Sequence, residues 1–357
     1  MKVHSLQQML VLPLVLLLAT TLAGCGSATV HESVAGDWIA VYFTAPVYPD
    51  DPAQHDGGLD WYLVSLVGQA QESVDVAAYE FDLESVTDAL LAAQGRGVQV
   101  RMVTDGSNAD EAALARLRQA GIPVVARPEG RWGIMHDKFV VVDNTWVWTG
   151  SWNLTGSETY RNNNNAVLIA SYNLAEDYHV EFEEMFNGQF GASSPVNTPH
   201  RLIHIGGQAT DVRVEVYFAP EDGVSERLVR LLSSARSSIR FMAFQFTSER
   251  LAETLSERAG RGVTVEGVVE SRSANDDASQ VERLRAGGVT VRLDGNPYTM
   301  HHKVFIVDEQ IVVLGSYNFT VSADAENDEN LLIIHDPQVA AAFLAEYERV
   351  VAQAEGR

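Results

Sequence analysis

Lysine is almost absent from this chain. Among 357 residues there are three, Lys2, Lys138 and Lys303, against 22 arginines. Cysteine is rarer still: Cys25 stands alone, which excludes an intrachain disulfide. Positive charge as a whole is scarce, with 25 basic against 48 acidic residues and a formal net charge of −23. A surface this acidic repels nucleic acid and anionic lipid at long range and favours solubility. It weighs against a broad nonspecific DNA footprint, which needs many Lys and Arg contacts. A phosphodiester held in a small basic pocket stays open.

The rest of the composition is globular, 46% hydrophobic with 20% charged residues, in a chain long enough for two domains with their own cores. Only the first 24 residues differ. Lys2 is followed by "MLVLPLVLLLATTLAGC", an apolar run short and sharply terminated for a spanning helix. Its end, Leu22-Ala23-Gly24-Cys25, resembles the lipobox of bacterial lipoprotein signals. That resemblance implies cleavage before Cys25, lipidation of the cysteine, and an exported chain anchored to a membrane surface of the bacterial cell envelope. Losing Lys2 with the leader leaves 24 basic against 48 acidic residues, or −24. Gly26, where many inner-membrane lipoproteins carry aspartate, makes an outer membrane plausible if the host has one. A plain secretory signal with an incidental Cys25, or an uncleaved anchor, is the alternative.

Laid on itself, the chain repeats. A shift of 165 carries His136, Lys138, Asp143, Gly150, Ser151 and Asn153 onto His301, Lys303, Asp308, Gly315, Ser316 and Asn318. The same shift maps "AYEF" at Ala78 onto "AFQF" at Ala243, while "VYFTAP" at Val41 matches "VYFAP" at Val216 with an offset of 175. The first copy therefore carries a longer loop, "VYPDDPAQHDGG". A period this long means two copies of a whole domain. Strands alternate with amphipathic helices in each copy, so the expected fold is α/β: two sandwich repeats related by a pseudo-twofold axis. The expected divisions are a signal over 1–24, an anchor or linker over 25–38, repeats over 39–190 and 211–357, and a turn-rich linker over 191–210.

Side chains two apart on a strand share a face, so His136 and Lys138 project together, as do His301 and Lys303. The hairpin return brings Ser151 and Asn153, or Ser316 and Asn318, alongside. An ammonium, an imidazole, a hydroxyl and a carboxamide on one patch suit a phosphate. Phosphodiester cleavage needs one neutral imidazole to attack and one protonated imidazole to release the alcohol, and two copies supply both. Two lysines and two asparagines stabilise the developing charge, so no metal or cofactor is required.

The pattern His-x-Lys-x4-Asp-x6-Gly-Ser-x-Asn, present twice, resembles the phospholipase D superfamily from about Val41 to the end. Both lysines outside the leader lie in it, where a compact ammonium meets a phosphate. The resemblance implies that His136 is the nucleophile and His301 the general acid and then base. It gives Asp143 and Asp308 a structural part. It also implies an acidic residue 21 positions after each motif aspartate, reaching across to the opposite histidine. In the second copy this is Glu329, but in the first it is Asn164. Glu329 would then back His136, and His301 would face Asn164 with no carboxylate.

Weaker signals surround this core. Trp132 or Trp152 could line an acyl path, whereas Trp146 and Trp148 read as packing residues. Arg131 and Arg161 are candidates for headgroup contact. His179, His200, His204 and His335 show no metal-ligand spacing. "ADAENDEN" at Ala323 reads as a wall of the site. The expected activity is a metal-independent phosphodiesterase of phospholipase D type, cleaving phospholipid to phosphatidic acid and free headgroup through a phosphohistidine. A nuclease, or a phosphatidyltransferase using the same residues, is the alternative. The implied partners are phospholipid and a membrane surface, with nucleic acid as the alternative substrate and no obligate protein partner.

Overall fold

The computed structural model describes residues 30–130, 133–206 and 211–356. Cys25, the leader, Arg131 and Trp132 lie outside these. Among the described residues no helix is long and apolar enough to cross a membrane.

Each repeat builds one eight-stranded mixed sheet, and the two sheets have the same order. In the first, the strands Lys138–Val142 and Trp146–Gly150 form a central hairpin. The parallel strands Ser73–Ala78, Gln99–Asp105 and Val124–Arg127 lie on one side of it. Asn165–Ala170, Ile39–Thr44 and Val30–Gly36 lie on the other, all antiparallel. The second sheet repeats this from Leu202–Ile205 at one edge to Thr290–Leu293 at the other. The edge strands Val30–Gly36 and Leu202–Ile205 fall where the sequence reads as anchor and linker. They are short, and each is held only by the next strand, so they leave little periodic signal.

Apart from Lys138, Thr149 and Asp75, the central strands are largely apolar because both faces are covered. Phe139 and Val141 enter a core shared by the two repeats, while Val140 and Val142 enter the first repeat's own core. Val304 and Ile306, against Phe305 and Val307, divide in the same way. The shared core is filled by two inner helices, Tyr172–Phe186 and Pro337–Ala354. The first packs on the strand Val212–Ala219 of the opposite repeat, and the second on Ile39–Thr44. Each helix thus braces the other half.

The repeats also exchange backbone. His136 N–H donates to Asp328 O at 2.9 Å, and 165 residues later His301 N–H donates to Asn163 O at 2.9 Å. Asp328 N–H answers to Ile134 O at 3.0 Å, and Thr299–Met300 pairs in parallel with Asn162–Asn163. Equivalent residues make equivalent contacts across the seam, as a pseudo-twofold axis requires. Both motif histidines therefore leave their own sheets and are pinned by the other half.

Candidate active site

Two devices seat the motif. Asp143 and Asp308 adopt positive φ (51° and 53°) in the hairpin turns, and so do Asn144 and Glu309. Their carboxylates accept the backbone N–H groups of Gln71 to Ser73 and of Arg236 to Ser238 at 2.7–3.2 Å, closing the turn that leads into the neighbouring strand. Both aspartates are thus remote scaffolding. Gly150 and Gly315 precede the motif serines because a Cβ there would lie 2.3 and 2.2 Å from the carbonyls of Asn165 and Asn330.

A cleft of about 980 Å³ opens between the repeats, lined by His136, His301, Asn153, Asn318, Glu158 and Glu80 among others. The lysines stand behind its wall, each 2% exposed. Lys138 Nζ donates to His136 O at 2.7 Å beneath the Tyr79 ring, and Lys303 Nζ donates to His301 O at 2.8 Å beneath Phe244. Burial lowers both amines, Lys138 to about 8 against the pull of Glu329 and Glu158, and Lys303 well below its ordinary value with repulsion from Lys138 added.

The serines differ from the expectation of a phosphate contact. Ser151 and Ser316 are fully buried and donate inward, to Asn164 Oδ1 at 2.8 Å and Glu329 Oε2 at 2.7 Å. They orient the groups that orient the histidines. Asn153 donates to Glu158 and Glu80 at 3.1 and 3.2 Å from a position on the cleft wall.

Glu329 reaches across the seam, its Oε2 lying 2.8 Å from His136 Nδ1. His301 Nδ1 likewise meets Asn164 Oδ1 at 3.1 Å. The expectation that His301 lacks a carboxylate is corrected, because Glu158 Oε2 lies 3.3 Å from the same nitrogen. Glu158 sits on the short helix Gly156–Tyr160, capped by Thr155, and is tied by Asn164 Nδ2 at 2.5 Å. Its counterpart in the second copy is Ala323, as Glu329's counterpart in the first is Asn164. The carboxylate has moved by six residues between the copies, and each histidine keeps one. That exchange of Glu and Ala under the 165-residue shift was the available signal.

The two pairs are poised differently. Burial drives His136 well below the ordinary imidazole value, and the ammonium groups of Lys138 and Lys303 push it further. Burial also raises Glu329, to about 7, against the pull of Lys138. The neutral imidazole of His136 thus faces an acid that burial makes reluctant to ionise. Burial lowers His301 to about 4, with Glu158 opposing the fall. Burial would raise Glu158 too, but His301 and the Asn164 amide bring it far below the usual carboxylate range. A firmly ionised acid thus faces His301, and a readily neutralised one faces His136.

Other residues escaped the sequence. Asp105 and Glu270, at or just beyond the ends of equivalent strands, accept the N–H groups of Met135 and Met300, one residue before each histidine. Trp152 is 2% exposed in the first repeat's core, its indole N–H on Thr159 at 3.1 Å, so it lines no acyl path. Trp148 packs in that core against Tyr42, as expected of the return strand. Arg161 is engaged by Asp50 at 2.8 Å. His179, His200, His204 and His335 pair with carboxylates. Glu326 and Asn327 of the acidic run do line the cleft.

Comparison with known proteins follows this geometry. Human mitochondrial cardiolipin hydrolase is 39% identical over 124 residues, 35% of this chain and 49% of that protein. Phospholipase D of Rickettsia bellii (strain RML369-C) is 29% identical over 147 residues, 41% of this chain and 73% of its own length. The chain spans about half the length of the first curated relatives it matches. The solved phosphatidylserine synthase of Haemophilus influenzae Rd KW20 shares the fold over 84% of this chain and 85% of its own, with a TM-score of 0.66 at 16% identity. The family model described as "Cardiolipin synthase, PLD-like domain" matches twice, over residues 63–186 and 228–351. With more than half of its length covered by these two copies, the chain belongs to that family of the phospholipase D superfamily.

Proposed function

We propose that the protein is a phospholipase D-type phosphodiesterase that cleaves phospholipid to phosphatidic acid and a free headgroup. The observation that carries this reading is the pair of histidines in one cleft, each held at Nδ1 by a carboxylate of different proton affinity. Neutral His136 keeps its proton on Nδ1, held by ionised Glu329, so Nε2 carries the lone pair. Attack of Nε2 on phosphorus forms the P–N bond and breaks the P–O bond to the headgroup. His301, protonated beside ionised Glu158 once the bound diester offsets the lysine charges, passes its proton to the departing oxygen. His301 then takes a proton from water, the hydroxide breaks the P–N bond, and both imidazoles return to their starting states. Lys138 and Lys303, with the Asn153 and Asn318 amides, stabilise the charge on phosphorus.

The lipid substrate is supported by the names of the relatives, which include a cardiolipin hydrolase and a phospholipase D, while the acidic surface weighs against a broad DNA footprint. The proposed location is the bacterial cell envelope, held by a lipid on Cys25. The test assays the full chain and its His136→Ala variant, with and without EDTA and well below the unfolding temperature. Substrates are vesicles of phosphatidylcholine or cardiolipin beside single- and double-stranded DNA. Lipid turnover lost in the variant is the expected result. DNA cleavage without lipid turnover would overturn the substrate and retain the two-histidine chemistry.

A further inference from the structure

The two inner helices carry equivalent residues with opposite charge. Under the 165-residue shift Glu181 corresponds to Glu346, Glu184 to Arg349, and Asp137 to His302. In the second half the seam is closed by an arginine and a histidine. Arg349 binds Glu346 through Nε and Nη2 at 2.8 and 2.6 Å and reaches Thr44 O, at the end of an opposite strand, at 3.3 Å. His302 Nε2 meets the same glutamate at 2.9 Å. In the first half both of these positions are acidic. The strand packed there, Val212–Ala219, is followed by a further acid, Glu221, which stands where the first copy has Pro46.

Glu181, Glu184 and Glu221 offer carboxylate oxygens that all lie within 4.8 Å of one another. Glu184 is 5% exposed, and neither of its carboxylate oxygens has a hydrogen-bond partner. Glu221 Oε2 also has none. The Asn197 amide lies on the Glu184 side without completing a hydrogen bond. The arginines of the surrounding acidic network are engaged elsewhere, Arg127 by Asp328 at 2.7 Å and Arg201 by Asp222. Buried carboxylates without partners are costly, and three together more so. Burial raises all three, Glu184 to about 7 with Asp222 and Asp328 adding repulsion, and Glu221 to about 8 with Asp222 and Glu184 adding repulsion.

We propose that Glu181, Glu184 and Glu221 bind one hard divalent cation of the calcium class, which joins the two halves where Arg349 joins them on the other side of the pseudo-twofold axis. Calcium takes oxygen ligands at about 2.3–2.6 Å, so ligand oxygens of one ion sit up to roughly 5 Å apart, which this cluster satisfies. A set of carboxylates alone selects calcium, magnesium or manganese over thiophilic and imidazole-seeking metals. Glu181 and Glu184 come from the first repeat's helix and Glu221 from the second repeat, so the ion is a clamp between halves. This part is structural and independent of the reaction proposed above.

The test uses the full chain, purified through EDTA, then titrated with CaCl2 or MgCl2 while heat of binding and thermal melting are recorded. One calcium per chain and a rise in Tm are expected. Glu184→Gln and Glu221→Gln are each expected to weaken calcium at least ~10-fold. Glu184→Arg, which copies the other half, is expected to melt in EDTA near the calcium-loaded wild type and to show no calcium shift. No binding and no change in Tm at ~10 mM calcium, magnesium or manganese would overturn the site, because structural calcium sites of the weakest class saturate by then. Calcium binding undiminished in both glutamine variants would overturn it as well.

Discussion

The two halves solve one problem with different residues. Both must hold a buried histidine at Nδ1, and both do so with a carboxylate of known neighbours. The second half sends Glu329 from the strand Glu329–His335 to His136. The first half sends Glu158 from a one-turn helix to His301, with Asn164 filling the place of the lost acid. The duplicated scaffold is almost superimposable in its contacts, whereas the proton affinities of its two acids have been driven apart. Symmetry delivers two imidazoles to one cleft, and its local breakage gives them carboxylates of different proton affinity, the basis of the different roles proposed for them.

The comparison can be broken most severely at the histidines. His136→Ala is expected to lower kcat by ~10^4-fold or more, the scale on which removal of a nucleophile acts. His301→Ala should impair release of the alcohol while still accepting the lipid phosphoryl group from a substrate whose leaving group needs no proton. Single-turnover assays with phosphatidyl-p-nitrophenol measure both.

A smaller effect is expected from the acids. Glu329→Gln should reduce kcat by ~10^2-fold or more, since the amide favours the wrong tautomer of His136. Glu158→Gln should cost ~10–100-fold. The sharper experiment is relocation: Glu158→Ala with Asn164→Glu gives the first half the arrangement of the second. Recovery relative to Glu158→Ala alone, read in kcat, would confirm that the six-residue shift preserves function. No recovery would make Glu158 more than a replacement.

The pH profile ranks next. Glu329 must be ionised to accept the Nδ1–H hydrogen bond that fixes the attacking tautomer of neutral His136, and its value is raised to about 7. The ionised form gains as pH rises, so kcat is expected to climb through about 7. It should decline as Lys138 loses its proton above about 8. Glu329→Gln should remove the limb near 7 and leave the other. The smallest contrast lies where the halves agree. Asp143→Ala and Asp308→Ala each free three backbone N–H groups, and each should cost ~1–3 kcal/mol of stability in denaturant titrations. The activity of folded molecules should be unchanged.

Much of this was legible in the sequence because it is carried by identity at fixed spacing. The repeat, the hairpins and the motif side chains depend on local patterns that survive duplication. Glu329 was legible through the family resemblance, which places an acid at a fixed distance after the motif aspartate Asp308. Glu158 was not, since its approach to His301 depends on how a short helix of one half meets the other. The inward aim of Ser151 and Ser316 was equally hidden, because strand alternation gives a side chain's face but not which neighbour claims its hydroxyl. Nothing in the local sequence pattern marks Glu181 and Glu184 as buried. Only the packing of that helix against the opposite repeat puts them inside.

The most direct measurement is to quench the full chain during turnover of labelled phospholipid and locate the phosphoramidate by mass spectrometry. The adduct is predicted on His136, absent in His136→Ala and retained in His301→Ala. An adduct on His301 that survives in His136→Ala would contradict the assignment of roles to the two halves.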